Sequence, residues 1–510
     1  MNITKRRMFP ALLTILLFAT LLAGCAGKQS DAGQNDASQK EITCTADLEG
    51  ARIGVQLGTT GDIYVSDYEG DEAGTQIERY NKGADAIQAL KLGKIDCVVI
   101  DEQPGLQFVK QNSNIRIIDE EFTLEDYAFC VAKENTELLD NINGALEKLK
   151  ADGTIDSIVK NYIGTDEEVG QYPYVSKEVE RNNGTLIIGT NAEFPPYEYY
   201  DNNQVTGIDI DIMRAISDEL GMDIQVEDMA FDSIIAAITS GKVNVGASGF
   251  TVTEERKKNI NFTDTYITTK QVIIVKGDND TQKAGIGEKF YDNFIKDSRY
   301  MYIVKGLGNT LLITLLAVTI GIILGFIIAI IRTGYDRNGE LPILNAICKV
   351  YLTVMRGTPV MIQLLIIYYV ILASATNKIM VAAIAFGLNS AAYVAEIVRS
   401  GIMSVDIGQF EAGRSLGLNY QQTMQSIILP QAIKNILPAL LNEVISLLKE
   451  TSISGYIGLM DLTKGGDIIR SNTYEAFLPL IAVAIIYLAL VMLLSFLAGK
   501  LERRLRNNER

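Results

Sequence analysis

The 510-residue chain contains no histidine and no tryptophan. That removes serine–histidine and cysteine–histidine catalysis, histidine-ligated zinc and haem from consideration. Of the five cysteines, Cys97 and Cys130 sit inside the apolar strand-like runs IDCVVID and YAFCVAK, Cys44 precedes the first domain and Cys348 lies among the long apolar runs. No spacing among them suggests a metal site or a disulfide framework, so buried free thiols are expected. No G-x-x-x-x-G-K-[ST] occurs either, so nothing cradles nucleotide phosphates and energy must come from another polypeptide. Neither a cofactor nor a metal is expected. What remains is recognition chemistry. Arginine supplies a planar guanidinium that can grip a carboxylate through two parallel hydrogen bonds and never deprotonates. Glu443 lies within an apolar stretch, where an acid at a helix centre costs on the order of 2.5 to 3.5 kcal/mol, so it faces other helices or a polar path.

The elements that position these residues fall into halves of opposite charge. Residues 301–510 carry 17 Lys and Arg against 12 Asp and Glu, leaving 29 against 50 in residues 1–300. A basic half holding long apolar runs points to a membrane with positive flanks and not to nucleic acid. The acidic half should be soluble and repelled by anionic lipid. At the start of the chain, Lys5, Arg6 and Arg7 precede an apolar stretch over 8–22 and then Leu22-Ala23-Gly24-Cys25. This is the arrangement of a secretory signal over 1–25 with a small-residue cleavage site, an uncleaved signal anchor being the alternative. Either puts the acidic half outside the cytoplasm. Residues 26–46, rich in Gln, Ser, Asp, Gly and Ala, read as a flexible linker.

From about Leu48, short apolar strands alternate with helical patterns: ARIGV, GADAIQALKLGK, IDCVVI, PGLQFVKQ and IRIID, then YAFCVA and a long helix over 137–162. After a charged, irregular stretch at 165–183 the alternation resumes with TLIIGTN, IDIDIMRAISDELG, DIQVEDM, FDSIIAAITSGK, VNVGASG and KQVIIVKG. Such alternation argues for α/β units on parallel sheets. A polar tether and an interfacial helix over 290–304 then occupy most of 279–303.

The rest, 304–505, reads as an all-α polytopic membrane domain. Uncharged windows at 311–331, 357–377, 379–395 and 476–499 are long enough to cross hydrocarbon as helices. A fifth, at 427–448, is weaker because it carries Lys434 and Glu443. Five spans with the front half outside leave the C-terminus inside. Arg332, Arg337, Lys349, Arg356, Arg399, Arg414 and the basic cluster at 500–510 then lie on the inner side.

Between the third and fourth windows stands EAGRSLGLNYQQTMQSIILP. Its Glu411-Ala412-Gly413, Gly417 and Ile427-x-Leu429-Pro430 resemble the EAA loop of bacterial ABC importer permeases. MRGTPVMIQLL and NSAAYVAEIVRSGI are similar to the polar amino acid branch of that family, and the resemblance covers residues 290–505. It implies a coupling helix that fits a groove on a cytoplasmic ABC ATPase dimer, with glycine permitting close backbone approach, and a second copy of this chain as partner. The bacterial lipobox that Leu22 to Cys25 resembles would make Cys25 a lipidated first residue held in membrane lipid.

The front half resembles the extracellular amino acid-binding proteins, two-lobed α/β clamps of the periplasmic-binding-protein type. One lobe carries GTNAEFPPYEYY and GASGFTVTEERKKNINFTDTY, the other GVQLGTTGD and DCVVIDEQPG. The resemblance implies that Arg256, following Gly249 and Thr251, holds a ligand carboxylate helped by Thr59 and Thr60. By the same comparison Asp101 pairs the α-ammonium, Phe194 and Phe231 flank the ligand side chain, and Asn191 reaches it. Taken singly, the two phenylalanines also suit core packing and Arg256 a surface ion pair. Their joint occurrence favours the ligand site. Glu193, Asp232 and Asp62 lie near these residues and favour a basic or uncharged ligand over glutamate. Against the family, the order is permuted: lobe two (about 47–115), the tail of lobe one (about 123–165), then the beginning of lobe one (about 184–277). A circularly permuted clamp over 47–278 implies one severed interlobe strand, with lobe two tied through 26–46 and lobe one through 278–288. The expected protein imports a polar amino acid across the bacterial cell membrane. An amino acid-gated channel or a membrane-anchored sensor is the alternative, against which stand the lack of a TVGYG-like filter and an EAA loop of no use to a channel.

Overall fold

The computed structural model of the chain describes residues 40–70, 72–120, 122–202, 204–277, 285–473 and 475–507. The expected signal, Cys25, most of the 26–46 linker and the tether at 278–284 lie outside the described residues. From Glu41 onward the chain forms one compact unit.

Lobe two comes first, as β1 (Arg52–Gln56), α1 (Thr60–Val65), β2 (Gln76–Tyr80), α2 (Gly83–Lys91), β3 (Cys97–Asp101), α3 (Glu102–Gln111) and β4 (Ile115–Ile117). Strands β2, β1 and β3 pair in parallel. All five residues of β3 are buried, as a strand covered on both faces requires. The chain crosses to lobe one on β5 (Thr123–Tyr127), continuing through β6 (Cys130–Ala132), α4 (Thr136–Ala151) and α5 (Thr154–Ile163). There follow β7 (Thr185–Thr190), β8 (Glu193–Phe194), β9 (Glu198–Asp201), β10 (Gln204–Thr206), α6 (Ile208–Leu220), β11 (Asp223–Asp228), α7 (Ile234–Thr239), β12 (Val245–Gly246) and β13 (Ile260–Phe262). The lobe-one sheet has the order β11-β7-β12-β6-β13, and β8 to β10 form a small separate sheet.

The last strand, β14 (Ile267–Lys276), corrects two expectations. Its first half pairs antiparallel with β5, from Ile267 opposite Tyr127 to Gln271 opposite Thr123. Its second half pairs antiparallel with β3 and β4 in lobe two. The sheets are therefore mixed and not wholly parallel, because a strand that brings the chain back from lobe one must run against the one that took it there. Among the described residues no interlobe strand is severed: β5 and β14 both cross intact. The chain leaves the clamp from lobe two, where Gly277 N donates to Asn114 O at 2.8 Å. It begins there too, with Ile42 packed in the same core as Ile273 and Val275. The described part of the linker and Gly277, the residue before the tether, thus both belong to lobe two, and not one to each lobe as expected.

The irregular stretch joining α5 to β7 is ordered by one buried carboxylate on α6. Asp218 accepts hydrogen bonds from Tyr174 OH and Lys177 N, both at 2.7 Å, and from Ser176 Oγ, and it pairs with Arg181.

The membrane half starts with α8 (Ile286–Phe290) and continues with α9 (Tyr300–Asn338), α10 (Pro342–Gly357), α11 (Val360–Ile366), α12 (Lys378–Met403), α13 (Ile407–Ser415), α14 (Tyr420–Thr423), α15 (Leu429–Glu450), α16 (Leu462–Thr473) and α17 (Phe477–Asn507). Among the described residues, α9, α12 and α17 are long and apolar enough to cross a membrane. The pair Pro342–Gly357 and Val360–Ile371, bent by 111°, gives a fourth span at most, so length and composition do not reach the expected five. The expected window at 357–377 is helical only over 360–371: before it Pro359, which lacks an amide proton, holds Thr358 extended at φ −119° and ψ 147°, and after it Leu372 leaves the helix at φ −114° and ψ 37°. The expected interfacial helix is likewise interrupted, by Asp297 and Ser298 at φ 53° and 52°. Helices α9 and α12 approach through small residues: a Cβ on Gly325 would lie 2.6 Å from Val394, and one on Gly387 2.7 Å from Ile320.

Replacing Asp218 by alanine removes the acceptor that holds 174–181 to α6. Limited proteolysis of the full-length protein should then cut within 165–183 much faster than in the parent, while the β-rich fragments on either side stay resistant.

Candidate functional site

The expected ligand residues stand at the carboxyl ends of parallel strands and in the turns that follow them, where open α/β sheets place their ligands. Thr59 caps α1 after β1, Asp101 ends β3, Asn191 follows β7, and Gly249 and Thr251 follow β12. Phe194 is on β8, Phe231 opens the turn after β11, and Arg256 opens a 3₁₀ turn. Thr59, Thr60, Asp101, Asn191, Phe194, Phe231 and Gly249 line one cavity, together with Gln56, Glu198 and Ser248. Its volume is about 10 Å³, room for roughly one water and not for an amino acid.

The lobes close on each other directly. Thr60 Oγ1 donates to Thr251 Oγ1 at 2.7 Å, and Gln56 Nε2 to Asn191 Oδ1 at 3.3 Å. Arg256 is 6% exposed and does not line the cavity. Its Nη1 donates to Thr251 O and its Nη2 crosses to Gly58 O in lobe two, each at 2.9 Å. The guanidinium carbon lies 5.6 Å from the Phe231 ring centre and 5.3 Å from that of Phe250. Both bonds go to neutral carbonyls, so the charge is buried without a bonded carboxylate, and burial lowers its proton affinity. Asp101 accepts a hydrogen bond from Tyr127 OH, and burial pushes its carboxyl up.

Two acids escape the sequence argument. Glu125, on β5, is 3% exposed. Its Oε2 accepts from Thr251 Oγ1 at 2.8 Å and from Gln271 Nε2 at 3.2 Å. Burial, reinforced by the charge of Asp101, pushes this carboxyl up to about 8. Glu198 is fully buried and accepts from Ser248 Oγ at 2.7 Å. The signal for Glu125 was present: in the period-two run Thr123 to Tyr127 it shares the inward face with buried Tyr127.

The three acids expected to bias the ligand do not line the cavity. Asp62 accepts from Gly58 N at 2.9 Å and pairs with Arg79 at 2.8 Å. Asp232 and Glu193 line a second, larger space of about 520 Å³ between the clamp and the membrane half. Glu193 Oε1 receives Lys82 at 2.9 Å and Lys464 at 2.7 Å. Burial opposes its charge, but the two ammonium groups prevail and hold its carboxyl down at about 2. Asn191 and Phe231 border both spaces.

The expected coupling residues fall together at the far part of the membrane half. Glu411, Ala412 and Gly413 are on α13, with Glu411 and Ala412 exposed and Gly413 buried, where a Cβ would meet Thr423 Cγ2 at 2.7 Å. Gly417 turns the chain at φ +81°. Leu429 and Pro430 open α15. Exposed Ile407, Leu416 and Tyr420 surround the turn. Within the bundle, Glu443 accepts from Ser390 Oγ at 2.8 Å, so it faces α12. Among the described residues no cluster could hold a metal ion, and Cys44, Cys97, Cys130 and Cys348 are free.

The fold and cleft define a two-lobed solute-binding clamp joined to a helical membrane domain. The profile of the bacterial extracellular solute-binding proteins, family 3, matches residues 186–458. A protein of Rickettsia bellii named for a glutamine transport system permease is 41% identical over 219 residues, covering 42% of this chain and 98% of the relative. The arginine transport system permease protein of Bacillus subtilis is 39% identical over 211 residues, 41% of this chain and 94% of the relative. A crystal structure of an amino acid ABC transporter with histidines is 43% identical and covers 41% of this chain and 98% of that one, with a TM-score of 0.38. The chain belongs to the family 3 extracellular solute-binding proteins and, through its membrane half, to the amino acid ABC transporter permeases.

Glu125 gives the clamp a pH signature. An acid whose folded pKa exceeds its unfolded value keeps its proton only in the folded state between the two, so stability falls as pH rises from about 4.5 to about 8. Thermal unfolding of the full-length protein should show a midpoint that declines from about pH 6 to 8. Glu125→Gln, which mimics the protonated acid, should flatten that decline.

Proposed function

We propose that this chain is receptor and translocator in one: the clamp captures a polar amino acid outside the cell, and the membrane half passes it inward as ATP is hydrolysed by a separate ABC ATPase. The observation that carries the reading is the seating of a two-lobed clamp on a permease within one polypeptide, its cleft and the space beneath sharing Asn191 and Phe231. Two copies of the chain would engage two ATPase subunits through the surface around Glu411, Ala412, Gly413 and Gly417. Glu443 would face a polar path. In this reading α15 serves as the fifth span, the C-terminus is cytoplasmic and Cys25 is lipidated after signal cleavage. The chain order, with lobe two first, then the lobe-one tail through α5 and then the lobe-one beginning on β7, is that of a circular permutation. The short link at 278–284 keeps clamp and permease at an effective concentration on the order of millimolar, so a free binding protein is unnecessary.

ATP-dependent uptake of amino acids into proteoliposomes holding this chain and its matching ATPase tests the reading. Passive flux without ATP would favour a channel, and binding without flux a sensor.

In the ligand site, the carboxylate belongs to Arg256, Thr59, Thr60 and the Gly249–Thr251 turn, the α-ammonium to Asp101, and the side chain to Phe194, Phe231 and Asn191. The lobes must part to admit it, and Arg256 would exchange its carbonyl partners for the carboxylate. Arg256→Ala or Asp101→Ala should cost roughly 2 to 5 kcal/mol of binding. Calorimetry showing either variant within tenfold of the parent would remove that residue from the site. Gly417 replaced by a bulky residue should keep ligand binding while losing stimulation of the ATPase, since positive φ and close approach both favour glycine there. Normal uptake in that variant would count against the coupling assignment.

A further inference from the structure

Helix α16 carries Lys464, Asp467 and Arg470 at three-residue spacing, which sets them in a row along one side. The row alternates in sign, and each charge meets its opposite on the clamp. Lys464 Nζ lies 2.7 Å from Glu193 and 2.9 Å from Asp228, both in lobe one. Asp467 lies 3.1 Å from Lys82 Nζ, and Arg470 Nη1 2.5 Å from Asp85, both at the start of α2 in lobe two. The helix thus grips both lobes at once. Lys82 meanwhile reaches across the cleft to Glu193 at 2.9 Å, so the same row includes a bond that exists only when the lobes are together.

The two grips differ in what closure does to them. Lobe one is held to the membrane half at further points: Lys378 Nζ lies 2.6 Å from Glu227, Lys242 Nζ donates to Ala375 O, and Asn472 Nδ2 donates to Tyr200 O at 3.1 Å. These bonds do not involve lobe two and persist when it swings away. The bonds of Asp467 and Arg470 to lobe two do not. Moving Lys82 and Asp85 away by a few ångströms admits water, and the attraction of partly desolvated charges collapses with distance and dielectric. The helix is provided for that event, because Arg470 Nη2 also lies 3.0 Å from Asp467. With lobe two withdrawn, Asp467 and Arg470 still pair with each other and neither is stranded. The row therefore has two satisfied arrangements, one reaching lobe two and one closed on itself.

We propose that α16 senses closure of the clamp: Lys464 seats lobe one whatever the state of the cleft, while Asp467 and Arg470 engage Lys82 and Asp85 only when lobe two has closed, and so report an occupied clamp to the membrane half. The inference rests on the transport reading and deepens it, making Asp467 and Arg470 positioning residues that act through lobe two and do not touch the amino acid.

The test uses the full chain with its matching ATPase in nanodiscs and an equimolar mixture of the twenty amino acids. Asp85→Arg alone and Arg470→Asp alone should each lower the ratio of amino acid-stimulated to basal ATP hydrolysis about tenfold. The neutral variant Asp85→Asn should lower the ratio in the same direction while amino acid affinity and basal hydrolysis stay within about twofold of the parent, a split that a folding defect would not produce. The proposal is overturned if the single variants keep the parental ratio within twofold, or if affinity and basal hydrolysis fall along with the ratio. An unmodified protein that neither takes up amino acids nor answers them with ATP hydrolysis would instead overturn the transport reading, and the sensing role with it.

Discussion

The antiparallel pairing of β5 with β14 is the constraint on which the rest of the clamp depends. β14 belongs to both lobes: its first half is bonded to β5, its second to β3 and β4, and buried Gln271 is the residue where the two pairings meet, opposite Thr123 on one side and Asp101 on the other. The polar groups of the cleft hang from this ribbon. Asp101 ends the strand beside it, while Glu125 and Tyr127 are on β5 itself, and Gln271 ties Glu125 to β14. A rotation of one lobe against the other therefore turns about the strands that carry the buried acids, and the acids move little while the residues opposite them move far.

A second economy lies in β8. Successive residues of a strand point to opposite faces, and this strand has only two residues, Glu193 and Phe194. Phe194 lines the cavity in the cleft and Glu193 the space next to the membrane half. The wall between the two compartments is thus one strand thick. The residue that would flank a ligand side chain and the residue that receives Lys464 share a peptide bond, so displacement on one side is felt on the other without any longer pathway.

Much of this was legible in the sequence, for reasons that can be named. The alternation of apolar strands with helical patterns marked both lobes, because each central strand is covered on two faces and must be apolar throughout. The short motifs after β1, β3, β7 and β12 marked the cleft, because ligands gather where such strands end. What escaped depended on partners distant in the chain. Glu193 stands among the motif residues, and only the fold shows that it turns to Lys82 and to Lys464, 271 residues away. Glu125 shares the inward face of its strand with Tyr127, and only the fold shows that Thr251 and Gln271 bond it. The antiparallel course of β14 could not be read from KQVIIVKG, since apolar periodicity carries no direction. In the membrane half composition carried less than geometry: the window at 357–377 is free of charge, yet its helix runs only from Val360 to Ile371 and meets α10 at a bend of 111°.

The position of the chain ends on the clamp has a consequence for descent. Ile42 packs beside Ile273 and Val275, and Thr45 is bonded to Glu120, close to where Ile118 meets Ile273. The polypeptide thus arrives and departs at one edge of one lobe, with the entire hinge and the other lobe lying between as an uninterrupted loop of sequence. A module with that layout can be lifted out and another spliced in without cutting a crossing strand or reshaping the membrane half. Selection acting on such a gene can exchange the receptor as a cassette, and what the newcomer must preserve is the set of surface groups that meets α16 and the start of α12.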